Sequence, residues 1–337
     1  MDTDTDYNSS IYDYGDDYAP VHIRPSVTGN ILILSIYFIS FIIGFPGNCT
    51  VIWFTGYRWE KSVTTTWFLN LAIADILFVI FIPFEITYIL MGHHWSFGLF
   101  MCRIGSLMFN TGAYASIFFL MFISIDRYCL SFRRDICNKY RYKINVVVMI
   151  IIIWIISVLL STPYVYFKSI KEKGNNNRDC LEDYHPDNNM AYLLRRVVFC
   201  ISLVMRYLVP SIVMLSCYCS LLFKHSSLLS RGQAYTIVIM ITSFMVLWTP
   251  YNILYFIDVV GNYYYDANII IMDAIPISIA LTFLSSSINP MIYMLVGRYV
   301  SFENYSMYES LKLILSEEGE NQTNDENEIK MENIDIN

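Results

Sequence analysis

The sequence is short of charge: Asp, Glu, Lys and Arg make up 15% of its 337 residues, against about a quarter in a typical soluble domain. With 55% of the residues apolar, that shortage argues against the pair of soluble domains that this length would otherwise suggest. A basic n-region and an apolar h-region are both missing from the acidic start MDTDTDYNSS, so a cleavable signal peptide is not expected and the first apolar stretch doubles as the insertion signal. There is no Cys-x-x-Cys pair, and His93-His94 stands beside Trp95 without a matching ligand cluster, which disfavours a zinc site. Neither an internal repeat nor a Gly-rich interrupted helix pair is present, so a channel or transporter lacks support. No constellation suits catalysis, and the acidic balance implies no nucleic-acid partner; the chain is not expected to be an enzyme.

What is abundant is apolar length. Stretches of the roughly 20 residues needed to cross a bilayer recur near 31–54, 67–90, 103–126, 144–167, 197–223, 235–260 and 268–296. The expected fold is an all-α membrane protein, a seven-transmembrane helix bundle over residues 28–298. Residues 1–27 read as an acidic tail, and residues 316–337 as a second acidic tail too polar to bury a core.

Seven spans put the termini on opposite sides. Lys and Arg in short loops mark the cytoplasmic side. One side holds Arg58, Lys61, Arg127, Arg133, Arg134, Lys139, Arg141, Lys143, Lys224, Arg231 and Arg298. The other carries Lys168, Lys171, Lys173, Arg178, Arg195 and Arg196, so the bias is incomplete. The sequon Asn8-Ser9-Ser10 agrees with an extracellular N-terminus and makes Asn8 the glycosylation candidate. The sequons at Asn48, Asn304 and Asn321 fall in a span or on the cytoplasmic side and are not expected to be modified.

Among the cysteines, Cys102 at the opening of span three and Cys180 in the 168–190 loop are the two left outside, where a disulfide between them suits the compartment. Two unrelated thiols is the competing reading. Within the spans, ionisable groups are costly and therefore informative. Asp75 lies mid-span with Asn48, Ser116, Ser285, Ser286 and Asn289 as candidate neighbours; the cluster reads either as a sodium site, the oxygen-rich set that suits a hard cation, or as a structural hydrogen-bond network. Glu85, Arg206, Asp258 and Asp273 in the outer half of the bundle outline a polar cavity for a ligand's charged groups, with an internal Glu85–Arg206 ion pair as the rival reading. Prolines 46, 83, 163, 210, 250 and 290 within spans permit kinks.

Taken in order, the motifs resemble those of the rhodopsin-like receptors over roughly residues 28–312. Gly47-Asn48, Asn70-Leu71-Ala72 with Asp75, Trp95-Ser96-Phe97-Gly98, Cys102, Asp126-Arg127-Tyr128, Trp154, Pro210 with Tyr218, Phe244 with Trp248-Thr249-Pro250, and Asn289-Pro290-Met291-Ile292-Tyr293 follow one another in the expected spans. The resemblance implies a receptor that couples to a heterotrimeric G protein. Asp126 would restrain Arg127 at rest, and protonation of Asp126 would favour its release to meet Tyr218 and the G protein. Trp248, Ile117, Pro210 and Phe244 would repack beneath the ligand, and Tyr293 would swing inward with Asn289 and Pro290. A cytoplasmic amphipathic helix over 299–315 and recruitment of arrestin are further implications. The resemblance implies no cofactor, with a structural sodium ion at Asp75 as the one candidate.

Phe109 stands where amine receptors carry an acid, and Phe283 where opsins carry the retinal lysine, so a peptide or protein ligand remains. Within the family the run WFLNLAIADILFVIFIPFEITYILMGHHWSFG is most similar to the chemoattractant group, chemerin receptors above all. Phe109, Asn110, Ser202 and Tyr251 join the charged residues above as ligand-binding candidates. Arg206 sits one helical turn from the arginine usual in that group, with Ser202 at the usual position. Tyr7, Tyr12, Tyr14 and Tyr18, set among aspartates, suit sulfation and a basic protein ligand, a plain solvated tail being the alternative. Abundant Ile, Asn and Tyr resemble the composition of poxvirus-encoded receptor homologues, whose place would be the plasma membrane of an infected host cell. Arg134-Asp135 departs from the family's Pro and apolar residue, which puts coupling efficiency in question and keeps open a ligand-scavenging or constitutively active homologue. No cysteine follows span seven, so palmitoylation there is excluded. The acidic tail offers Ser316 and Thr323 as phosphorylation sites.

Overall fold

A computed structural model describes residues 25–132, 140–173, 177–223, 231–260, 267–301 and 312. Several expectations lie outside the described residues: Asn8, the four N-terminal tyrosines, Arg134-Asp135 and the 316–337 tail. Seven helical segments are long and apolar enough to cross a membrane: Val27–Arg58, Val63–Leu90, Gly98–Phe132, Lys143–Tyr166, Asn188–Ser220, Thr236–Val259 and Asp273–Tyr293. They coincide with the seven stretches read from the sequence, and are called spans one to seven below.

Their environments differ. In its most apolar window span three is 72% buried and span four only 22%, so span three forms the axis of the bundle and span four its rim. The rim presents Ile151, Ile152, Ile155 and Leu159 outward, an apolar face matched to lipid tails. The axis can be crowded because Gly112 lets span two approach: a Cβ there would lie 2.5 Å from the backbone nitrogen of Phe78 and 2.8 Å from the carbonyl of Ala74. Close approach through a small residue is how helices pack without a hydrophobic drive between them. Gly47 does the same for Pro290, whose Cβ would be 2.9 Å from an added methyl. The Gly47-Asn48 and Asn289-Pro290 motifs are thus in contact.

Polar side chains tie the helices where packing alone would let them slide. Trp154 Nε1 donates to Asn70 Oδ1 across 3.1 Å, joining spans four and two. At the start of span one, Asp273 accepts from both the backbone N–H and the hydroxyl of Ser26, each at 2.6 Å.

The segment between spans four and five is an antiparallel hairpin, β1 (Lys168–Lys173) and β2 (Asn177–Glu182), with Ile170 opposite Cys180 and Lys168 opposite Glu182. The sequence reading had only a loop here. Six-residue strands of mixed polarity carry no strong signal, and an isolated hairpin is marginal. This one is held from below. Cys180 is bonded to Cys102, with 5.8 Å between the Cα atoms; Trp95 N–H donates to Arg178 O at 2.7 Å; and Tyr88 hydrogen-bonds to Asp179.

One π-helical turn, Phe54–Arg58, ends span one, and another, Leu203–Leu208, interrupts span five. The second precedes Pro210. In an α-helix the residue at 210 would donate to the carbonyl of residue 206, and proline has no N–H to give, so the backbone widens there at little further loss. The last helix runs unbroken over Ala267–Ser301. Residues 299–301, read as the start of a separate helix, therefore continue it, and most of the expected 299–315 helix lies outside the described residues.

Candidate functional site

Beneath the hairpin the spans enclose a cavity of about 430 Å³. Glu85, Phe109, Asn110, Arg206 and Tyr251 line it, so these ligand-binding candidates from distant parts of the chain are brought together. Three others are not. Asp258 is ion-paired with Arg195, Asp273 is occupied by Ser26, and Ser202 is buried within hydrogen-bonding reach of Tyr164. The first two are diverted by partners on neighbouring helix ends, the third by the π-helical turn that begins immediately after it.

Nor does Glu85 pair with Arg206. Arg206 Nη1 donates to Asn110 Oδ1 at 3.4 Å and Nη2 to the Tyr251 hydroxyl at 3.2 Å. Its guanidinium carbon lies 5.3 Å from the ring centroids of Tyr114 and Trp248 and 5.5 Å from that of Tyr251. The charge is thus held by amide, phenol and ring faces, an arrangement in which aromatic quadrupoles replace part of the lost hydration.

The upper wall includes residues that sequence reasoning passed over: Tyr88, Tyr164, Lys168, Glu182, Tyr184 and Tyr255. The hairpin places Lys168 and Glu182 opposite each other, 3.8 Å between Nζ and Oε1, and Tyr184 donates to Glu182 Oε2 at 2.6 Å. Burial, followed by the adjacent Glu182 carboxylate, pushes the Tyr184 phenol above its ordinary range, so it stays a donor. The one sequence signal for this wall was Tyr251 and Tyr255, four apart on one helical face; the loop residues had none.

At the floor of the cavity, Trp248 Nε1 donates to Ser285 Oγ at 3.1 Å, and its ring stacks on Phe78 and lies tilted beside Phe244. Ile117 and Phe244 are buried with it. Next inward, Asp75 is fully buried; it accepts from Ser116 through Oδ1 and from Asn289 Nδ2 at 2.8 Å through Oδ2. Asn48 Nδ2 donates to the carbonyls of Gly44 and Ser286, at 2.9 and 3.2 Å. Of the residues nominated from sequence as a polar cluster, Ser116 and Asn289 bond to Asp75, Asn48 reaches the Ser286 carbonyl of span seven, and Ser285 bonds instead to Trp248. Asp75 has no cationic side chain paired with it among the described residues; the Ser116 hydroxyl and the Asn289 amide both donate to it.

At the far end, Arg127 is buried and its Nη2 donates to Thr64 Oγ1 at 3.0 Å. Arg141 Nη2 reaches the same hydroxyl at 3.2 Å, and its Nε lies 3.7 Å from Asp126 Oδ1. Arg141 is a partner that the Asp126-Arg127-Tyr128 triplet does not reveal. Tyr128 packs on Phe132, Tyr218 is half-buried against the core, and Tyr293 is buried edge-on against Phe68.

Residues 47–293 match the family model described as the seven-transmembrane receptor, rhodopsin family. A G-protein coupled receptor homolog of Fowlpox virus (strain NVSL) is 83% identical over 94% of this chain and 99% of its own. A second homolog from that virus is 33% identical over 95% and 96%. The human protein named Chemerin-like receptor 2 is 35% identical over 79% of this chain and 76% of its own. The resemblances to chemerin receptors and to poxvirus homologues drawn from motifs and composition are both met.

Proposed function

The chain belongs to the rhodopsin family of seven-transmembrane receptors, a family of receptors rather than enzymes, and on that premise we propose that it is a receptor for a chemoattractant peptide or protein of chemerin type. The single observation that carries this reading is contiguity. Trp248 lines the cavity and bonds to Ser285 of span seven, the span that Asn289 fastens to Asp75 of span two. A ligand that moves Trp248 disturbs bonds that fasten span seven, and ligand and G protein are then reciprocally coupled.

In this reading the chain lies in the plasma membrane of the cell that makes it, with the hairpin and the 1–27 tail outside and the 299–315 and 316–337 segments inside. Asn8 is glycosylated, Tyr7, Tyr12, Tyr14 and Tyr18 are sulfated, and the acidic tail draws in a basic protein. Inside, a heterotrimeric G protein of the inhibitory type meets Arg127 and Tyr218, and arrestin binds weakly. Asp75, Ser116 and Ser286 would hold a sodium ion, which would supply positive charge to a buried carboxylate.

The test is to express the chain in cells, apply chemerin, formyl peptides and complement peptides, and follow cAMP. A chemerin-induced fall in cAMP that Arg127→Ala abolishes is expected. Binding without a response, unaltered by Arg127→Ala, would replace signalling with ligand scavenging.

A further inference from the structure

Two successive residues of span five hold span six on either side of Pro250. Arg206 Nη2 donates to the hydroxyl of Tyr251, one residue outward of the proline, at 3.2 Å. The Tyr207 hydroxyl lies 2.5 Å from Oγ1 of Thr249, one residue inward of it. The direction of this second bond follows from the other contact that Thr249 makes. Thr249 Oγ1 donates to the carbonyl of Met245 at 2.5 Å, and a hydroxyl has one proton to give, so it accepts from Tyr207. The phenol thus reaches, through a single hydroxyl, a carbonyl on the turn inward of the proline. Pro250 has no N–H for the carbonyl of Val246, and a threonine bonded back to its own helix favours a bend, so span six can flex in this turn. Packing does little to stiffen it on the lipid side, where a shallow groove lined by Met245, Val246, Thr249, Pro250 and Ile253 opens and both Val246 and Ile253 are exposed.

We propose that Tyr207 is a positioning residue: through Thr249 it sets the bend of span six at Pro250 and clasps the inner half of that helix to span five. The π-helical turn Leu203–Leu208 carries both Arg206 and Tyr207, so one turn of span five grips span six above and below the proline. At this depth of a bilayer a phenol has no bulk water to turn to, which favours the closed clasp. Phe244 connects the clasp to the floor of the cavity, its ring centroid 6.1 Å from that of Tyr207 and 6.1 Å from that of Trp248. A displaced indole therefore presses on the ring that also packs against Tyr207. Opening the clasp frees the part of span six that leads to the cytoplasmic end. The signalling consequence rests on the receptor reading above, whereas the bond and the bend do not.

The purified full-length chain in detergent is transferred to heavy water, and backbone exchange is read by mass spectrometry of its peptides. Tyr207→Phe, which removes one oxygen, is expected to speed exchange several-fold over residues 245–249 and to leave span one unmoved. Thr249→Val tests the same bond from the other helix and should do the same, and adding Tyr207→Phe to it should bring no further change. Thr249→Ser keeps the hydroxyl and should match the unaltered protein. Unchanged exchange over span six in Tyr207→Phe overturns the proposal, as does an additive effect in the double variant. Faster exchange spread evenly over all spans overturns it too, since that is what general destabilisation gives. In cells without added ligand, Tyr207→Phe should lower cAMP and Thr249→Ser should not. Faster local exchange with cAMP unmoved by every variant and ligand leaves the clasp standing and defeats the signalling reading; a chemerin response with unchanged exchange in Tyr207→Phe defeats the clasp alone.

Discussion

The Asn289 side-chain amide donates to Asp75 Oδ2 across 2.8 Å, fastening span seven to span two in the middle of the bundle. Both residues are buried, so the bond is shielded from bulk water. Leaving a buried acceptor short of a donor costs about 1–3 kcal/mol. Asn289→Ala is accordingly expected to lower the melting temperature of the detergent-solubilised protein by several degrees, and Asp75→Asn added to it should recover part of the loss. Identical melting curves for the unaltered chain and Asn289→Ala would show that the bond contributes nothing.

The same carboxylate makes a sodium-specific forecast. Sodium chloride should raise the melting temperature above that in choline chloride at equal ionic strength, and Asp75→Asn should remove the difference. A sodium effect that survives Asp75→Asn would place the ion elsewhere.

Gly112 tests the packing of the axis. A methyl at this position meets the backbone of Phe78 and Ala74, which cannot rotate away as a side chain end can. Gly112→Ala should therefore force spans two and three apart, at about 1–3 kcal/mol, read as reduced thermal stability and surface expression. Gly92, whose added Cβ meets nothing within 4 Å but whose φ is +67°, serves as the contrasting control for strain without crowding.

Removing the Cys102–Cys180 disulfide should free the hairpin from the bundle. Loss of a native bridge typically costs about 2–5 kcal/mol. Cys102→Ser and Cys180→Ser should each reduce cell-surface protein, and the double variant should be no worse than either, because both remove one bond. An additive loss would mean that the cysteines act separately.

Arg195 and Asp258 join the hairpin ends of spans five and six, and Arg195 also lies over Tyr255, 5.3 Å from the ring centroid. Both side chains are partly exposed, so screening limits the pair to about 0.2–1 kcal/mol. Asp258→Asn and Arg195→Gln should each be mildly destabilising, and the exchange Arg195→Asp with Asp258→Arg should restore part of the coupling in a double-mutant cycle of melting temperatures. No coupling energy would make the pair incidental.

The number of spans and their order were legible in the sequence because a bilayer imposes a length and an apolarity that composition alone displays. The Asp75 network was equally visible, since an acid in mid-span has few tolerable settings and its neighbours fall at motif positions. The cysteine pair was narrowed by sidedness. The cavity charges were not settled this way. Glu85, Arg206, Asp258 and Asp273 look alike on paper, four ionisable residues in outer halves of helices. Only the folded arrangement gave Asp258 to Arg195 and Asp273 to Ser26, and left Arg206 facing the cavity among rings. That division depends on which partner reaches each group first, on a π-helical turn before Pro210, and on a hairpin whose strands carry no signature of their own. Local pattern determines what each helix is; three-dimensional competition for partners determines which charges remain for a ligand.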